Sequence, residues 1–178
     1  MTENLSKEKT FKRLSISLII LGITLRLIDY LHNKSLWLDE TYVALNVMKR
    51  SFIELIQPPL LEHQAPIGFL WIQRFMINIF GANEYALRLY SLTAAIVSLF
   101  LFYIILKKIT SKETTLIALS LFSICTALIH YSSEGKPYSG DVMITLISYL
   151  FAFDLLNNII IGILTAKKEH NLIIPCKK

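Results

Sequence analysis

Charge is scarce in this chain. Of its 178 residues only 17% are Asp, Glu, Lys or Arg, while 54% are hydrophobic and the mean hydropathy is +0.53. That balance excludes an ordinary soluble domain of this length and points to a membrane protein. Cysteine is scarcer still. Cys125 lies inside an apolar run and Cys176 near the C-terminal end, a pair that fits neither a disulfide framework nor the spacing of a metal site. No small-residue cleavage site follows the first apolar run, and Arg26 and Asp29 interrupt its end, so it reads as an uncleaved anchor rather than a signal peptide. The formal charge of +5 is the basic excess expected where Lys and Arg gather on the cytoplasmic side of a bilayer, and no nucleic-acid partner is expected.

What is present is hydrocarbon-compatible helix. A bilayer core of roughly 30 Å needs about 20 mainly apolar helical residues, because the backbone must satisfy its own hydrogen bonds there. Segments 14–31, 89–106, 114–130 and 142–161 meet that need. A fifth stretch, 65–81, reaches only about 25 Å at 1.5 Å per residue. Its Gln73, Arg74 and Asn78 fall within one arc of a helical wheel, which predicts an amphipathic helix lying in the interface. Keeping it on one side places Lys7, Lys9, Lys12, Arg13, Lys107, Lys108, Lys112, Lys167, Lys168, Lys177 and Lys178 together, as the positive-inside rule requires.

The resulting fold class is an all-α integral membrane protein with about four transmembrane helices, plus interfacial juxtamembrane helices in the first outer loop. Residues 1–13 and 166–178 form cytoplasmic tails around a transmembrane domain at 14–165, with outer segments at 32–88 and 131–141. The expected location is the cell (inner) membrane, with both termini cytoplasmic.

This topology gathers His32, Asp39, Glu40, Glu62, His63, Arg74, Glu84, Arg88, His130, Glu134, Lys136 and Asp141 at the outer ends of the helices, where distant parts of the chain can converge on one polar cleft. Loops are also simply polar. Asp39 and Glu40 after Trp37 could be a helix cap and dipole partner behind an aromatic-belt residue. Arg26 and Asp29, three apart, are expected to form a structural ion pair near the headgroups. Asp154, Asn157 and Asn158 share one face of the last helix and call for partner helices, because polar groups facing lipid are costly.

Four stretches occur in an order that carries a family resemblance: LWLDETYVAL, HQAPIGFLWIQRFMINIFG, NEYALRLYSL and YSSEGKPYSGDV. An outer Asp-Glu pair, a Pro-containing segment and an amphipathic helix ending in Phe-Gly, an Arg-Leu helix entry and a basic-aromatic motif at an outer helix start resemble the N-terminal part of the polyprenyl-phosphate-sugar-dependent membrane glycosyltransferases. That superfold C group includes protein O-mannosyltransferases and aminoarabinose transferases. The resemblance extends to about residue 158.

The resemblance implies transfer of a sugar from a polyprenyl-phosphate donor to a lipid or protein acceptor outside the cytoplasm. It implies Asp39 as general base, with Glu40 beside it orienting acceptor or base. Lys136, with Arg74 and Arg88 behind it, would face the leaving phosphate, and Glu134, Tyr138 and His63 would complete the substrate site. No cofactor is expected; a divalent ion held by His63 and His130 with Asp39 or Glu134 is the alternative. The loop 131–141 should fold back so that Lys136 comes within about 12 Å of Asp39 or Glu40, leaving room for a phosphosugar with contacts of approximately 3 Å at each end. Transferases of this kind are much longer, so the chain is expected to be a fragment, a truncated product, or a small protein retaining half of the site. The other readings are a non-catalytic four-helix assembly protein and a small transporter using Asp154 and Arg26.

Overall fold

A computed structural model describes residues 2–58 and 65–173. The described residues form seven α-helices and one 3-10 turn. These are α1 (Thr2–Leu31), α2 (Leu38–Lys49), the 3-10 turn (Glu54–Ile56), α3 (Ile67–Phe80), α4 (Glu84–Ile109), α5 (Lys112–Ile124), α6 (Thr126–Tyr131) and α7 (Tyr138–Ile173). Three stretches are long and apolar enough to cross a membrane: Ser6–Leu31, Glu84–Ile109 and Tyr138–Ile163. They contain the expected first, second and fourth spans.

The expected third span is divided. α5 runs for 13 residues and α6 for 6, separated at Cys125 with φ −59° and ψ 111°, so neither piece alone reaches across roughly 30 Å of hydrocarbon. A neighbouring helix supports the break. Arg26 of α1 donates to the Ser123 and Phe122 carbonyls at 3.2 and 3.4 Å, and to its own Gly22 carbonyl at 2.9 Å, serving oxygens that the interrupted helix leaves without intrahelical donors. Arg26 therefore does not form the pair with Asp29 that their spacing predicts. Asp29 instead accepts from Lys34 at 2.8 Å and from the Ser133 hydroxyl, because α1 turns one side toward α5 and the other toward the loop after α6.

Helix α4 is the hub, packing against α1, α3, α5 and α7. Its ends are well defined: the Asn83 side chain accepts from Ala86 N at 2.8 Å, and Lys107 and Lys108 occupy the last turn, matching the dipole at both termini. Small residues let the helices approach. A Cβ on Gly22 of α1 would lie 3.1 Å from Leu99 of α4 and 3.2 Å from Ser123 of α5, and one on Gly140 of α7 would collide with the Tyr90 hydroxyl.

One end of the bundle is basic and salt-bridged. Lys112 meets Glu8 at 2.5 Å and Lys108 meets Asp154 at 2.6 Å. The opposite end gathers the termini of α1, α4, α6 and α7 beneath α2 and α3, with Tyr30 Oη donating to the Tyr85 carbonyl at 2.9 Å and Asn33 to Glu84 at 2.9 Å. There α3 buries Phe69, Leu70, Gln73 and Ile77 against α2 and the start of α4 and leaves Trp71, Phe75 and Ile79 exposed at a spacing of four. Of the polar arc expected in 65–81, Gln73 is buried and Arg74 is turned onto the end of α2, so the helix presents an apolar stripe outward, of the kind that suits lipid. Gly81, at φ +82°, then turns the chain from α3 into α4, a conformation that costs glycine least.

Candidate active site

The two adjacent acids of α2 have opposite fates because successive helical residues point about 100° apart. Glu40 lies on a buried stripe with Val43, Ala44 and Val47, the i, i+3, i+4, i+7 pattern of an inward face. Its side chain is 1% exposed. One oxygen accepts from Arg88 Nη2 at 3.0 Å and from the Trp37 amide at 3.1 Å; the other accepts from Arg88 Nε at 3.3 Å and from the Gly135 amide at 2.5 Å. Arg88 spends its remaining donors on the Lys34 carbonyl at 2.7 Å and Asn33 Oδ1 at 3.3 Å. Glu40 thus joins three distant segments: the entry to α2, the first turns of α4 and the loop between α6 and α7.

Asp39 faces outward, its side chain 47% exposed, and Lys136 Nζ donates to its Oδ2 at 3.0 Å. The loop folds back toward the acids as expected, but at 3.0 Å the two groups are in direct contact and leave no room for a phosphosugar between them. That loop is pinned from below: the Ser91 hydroxyl of α4 donates to the Lys136 carbonyl at 3.0 Å and the Ser139 hydroxyl to the Tyr131 carbonyl at 2.9 Å. Burial works against charge on Lys136, yet the hydrogen bond to Asp39, helped by the charges of Tyr138, Asp39 and Glu134, outweighs it and holds the ammonium pKa above its ordinary 10.5. The ammonium also lies 5.6 Å from the centre of the Tyr138 ring, within cation–π range.

Around this pair opens a cleft of about 290 Å³ lined by Trp37, Leu38, Asp39, His130, Tyr131, Glu134, Lys136 and Tyr138. His130 Nε2 lies 2.9 Å from Glu134 Oε1, and the Tyr131 and Tyr138 rings meet edge to face at 4.7 Å. The cleft has a carboxylate, a cation on a pinned loop, a carboxylate–imidazole pair and an aromatic wall. That set can accept a proton, hold an anion and stack against a ring.

The expected site residues are therefore sorted. Asp39, Glu134, Lys136 and Tyr138 line the cleft; Glu40 and Arg88 lie beneath it, engaged with each other. Arg74 is elsewhere, donating to the Val47 and Met48 carbonyls at 2.8 and 3.2 Å, where it serves the C-terminal end of α2. His63 lies outside the described residues. Among those described, no group of three or more His, Cys, Asp or Glu is placed to hold a metal ion. Tyr131 and Ser91 were not singled out in the sequence, and Trp37 only as an aromatic-belt residue. Tyr131 flanks the basic-aromatic motif, and an aromatic next to such a motif at a membrane interface is the signal that would have found it.

An all-helical membrane protein with a charged, aromatic-walled cleft at one end of its bundle is the class that fold and site define. Residues 64–161 match the family model described as dolichyl-phosphate-mannose-protein mannosyltransferase, more than half of the chain. The protein belongs to that family, a family of glycosyltransferases. The matched segment includes Arg74, Arg88, Glu134, Lys136 and Tyr138, whereas Asp39 and Glu40 precede it. No curated protein and no solved structure matches the chain.

Proposed function

We propose that this protein transfers a sugar from a polyprenyl-phosphate donor to an acceptor hydroxyl at the extracytoplasmic face of the membrane, with Asp39 as general base. The observation that carries the reading is the pairing of an accessible carboxylate, Asp39, with an anchored cation, Lys136, in a cleft of phosphosugar size. The acceptor oxygen attacks the anomeric carbon as the bond from that carbon to the phosphate oxygen breaks. The hydroxyl proton passes to Asp39, and polyprenyl phosphate leaves as an anion facing Lys136. Tyr131, Tyr138 and Trp37 border the sugar, and Glu134 orients His130 at the rim.

Glu40 serves as a positioning residue, holding the loop that carries Lys136 against the helix that carries Asp39. The basic end with Lys107, Lys108 and Lys112 would face the cytoplasm, as the positive-inside rule favours, and both termini with it. Asp154, one of the two residues a transporter reading would use, is engaged by Lys108 at that basic end.

The test is sugar transfer in membranes carrying the protein, with radiolabelled polyprenyl-phosphate mannose as donor and extracted protein or lipid as acceptor. General-base catalysis contributes roughly 10² to 10⁴ in rate, so Asp39→Asn should lose that much. Transfer by Asp39→Asn at the unsubstituted rate would remove Asp39 from the role.

A further inference from the structure

We infer that Lys136 is a shared cation: it masks the Asp39 carboxylate until a lipid phosphate draws it away, so that donor must bind before acceptor. The inference rests on the glycosyl-transfer reading above and adds the order of events to it.

The charge inventory of the cleft motivates it. Arg88 is buried with its guanidinium given over to Glu40, Asn33 Oδ1 and the Lys34 carbonyl, and the Lys34 ammonium is held by Asp29, so an anion entering the cleft meets Lys136. That ammonium is already 3.0 Å from Asp39 Oδ2. A phosphate adds at least one further negative charge beside the same cation. The two anions then repel each other and compete for its donors, and charge-assisted bonding to phosphate is strong.

Geometry lets the exchange occur without moving the loop. The Lys136 carbonyl is held by Ser91, and the preceding Gly135 amide by buried Glu40, so the backbone stays fixed while the flexible four-carbon stem swings over the Tyr138 ring. The carboxylate makes no such excursion, because Asp39 begins a helix whose inner face is locked through Glu40 and Arg88. A carboxylate bound to an ammonium is a weak proton acceptor, and one released from it is a stronger acceptor. Arrival of the donor would therefore switch on the base that acts on the acceptor.

The two residues can be separated by a double-mutant cycle on binding. The measurement is the dissociation constant of polyprenyl monophosphate for the purified protein in nanodiscs of zwitterionic lipid, for the unsubstituted protein, Asp39→Asn, Lys136→Met and the combined variant. Removing the competitor should tighten binding in Asp39→Asn by roughly two- to fivefold, the range for a partly exposed pair. Lys136→Met should weaken it roughly tenfold or more. The combined variant should gain less over Lys136→Met than Asp39→Asn gains over the unsubstituted protein, because without the lysine only the direct repulsion between the two anions is relieved. Equal or weaker binding by Asp39→Asn, or a gain of undiminished size without Lys136, would overturn the shared-cation inference while leaving a phosphate-binding site in place. Failure of the unsubstituted protein to bind polyprenyl monophosphate would instead remove the transfer reading, and this inference with it.

Discussion

Glu40 of α2 and Arg88 of α4 meet at 3.0 Å with side chains 1% and 2% exposed. The helix and the loop that carry the cleft's acid and cation meet at this contact. Glu40 also takes the Gly135 amide, so the loop bearing Lys136 is registered against the helix bearing Asp39. A buried ion pair is expensive to form and costly to break one-sidedly, since removing one partner strands the other charge.

Arg88→Ala should therefore destabilise the protein by about 3–5 kcal/mol, read as a lower midpoint in thermal or denaturant unfolding of detergent-solubilised protein. Combining Arg88→Met with Glu40→Gln should cost less than Arg88→Ala alone, because no net charge is left buried.

The crossing of α4 and α7 should be intolerant of added volume at Gly140, where a Cβ would collide with the Tyr90 hydroxyl and lie 3.0 Å from its ring carbons. Gly140→Ala should cost about 1–3 kcal/mol, and Tyr90→Leu in the same chain should recover much of it. Unfolding midpoints of the two single variants and the combination check this.

Orientation is testable with the ends the structure separates. A cysteine at Lys49, on the side of the cleft, should react with an impermeant maleimide in intact cells. One at Lys112, in the basic end beside Glu8, should react only after permeabilisation. Labelling of both in intact cells would contradict the arrangement.

The pH dependence of phosphate binding follows from Lys136, whose pKa is raised above 10.5 despite burial, by its bond to Asp39 and the neighbouring charges. A raised pKa means that the charged form, and whatever it stabilises, is fully present below the ordinary value and is lost only as pH rises past the raised one. The Lys136 contribution to polyprenyl monophosphate binding should thus be constant from pH 7 to about 9. This is checked by comparing the affinity ratio of unsubstituted protein to Lys136→Met across that range.

The helices were legible because apolar runs of span length leave few alternatives in a bilayer. The break in the third of them was not, because 114–130 contains neither Pro nor Gly and the residue that supports the interruption, Arg26, comes from another helix. The same contact explains why the short-range pairing of Arg26 with Asp29 misled: sequence spacing sees neighbours on one helix and not the carbonyls of the next. The site was legible as a set of motif residues but not in depth. Asp39 and Glu40 look equivalent in a string of letters; the buried stripe Glu40, Val43, Ala44, Val47 was the readable cue that one of them faces inward. Arg74 and Arg88 likewise read as cations for the leaving phosphate, and only the packing of α2 shows that Arg74 serves its end and Arg88 its buried Glu40.

The central claim is that Asp39, and not its neighbour, takes the acceptor's proton. A single-turnover measurement tests it most directly: protein loaded with radiolabelled polyprenyl-phosphate mannose is mixed with acceptor, and the rate of label transfer is scaled to the amount of folded protein. Asp39→Asn should slow that step by roughly 10² to 10⁴ with donor still bound, whereas Glu40→Gln should reduce the amount of competent protein far more than the rate of what remains. An unchanged rate in Asp39→Asn, or an equal fall in the rate per folded molecule of Glu40→Gln, would contradict the account.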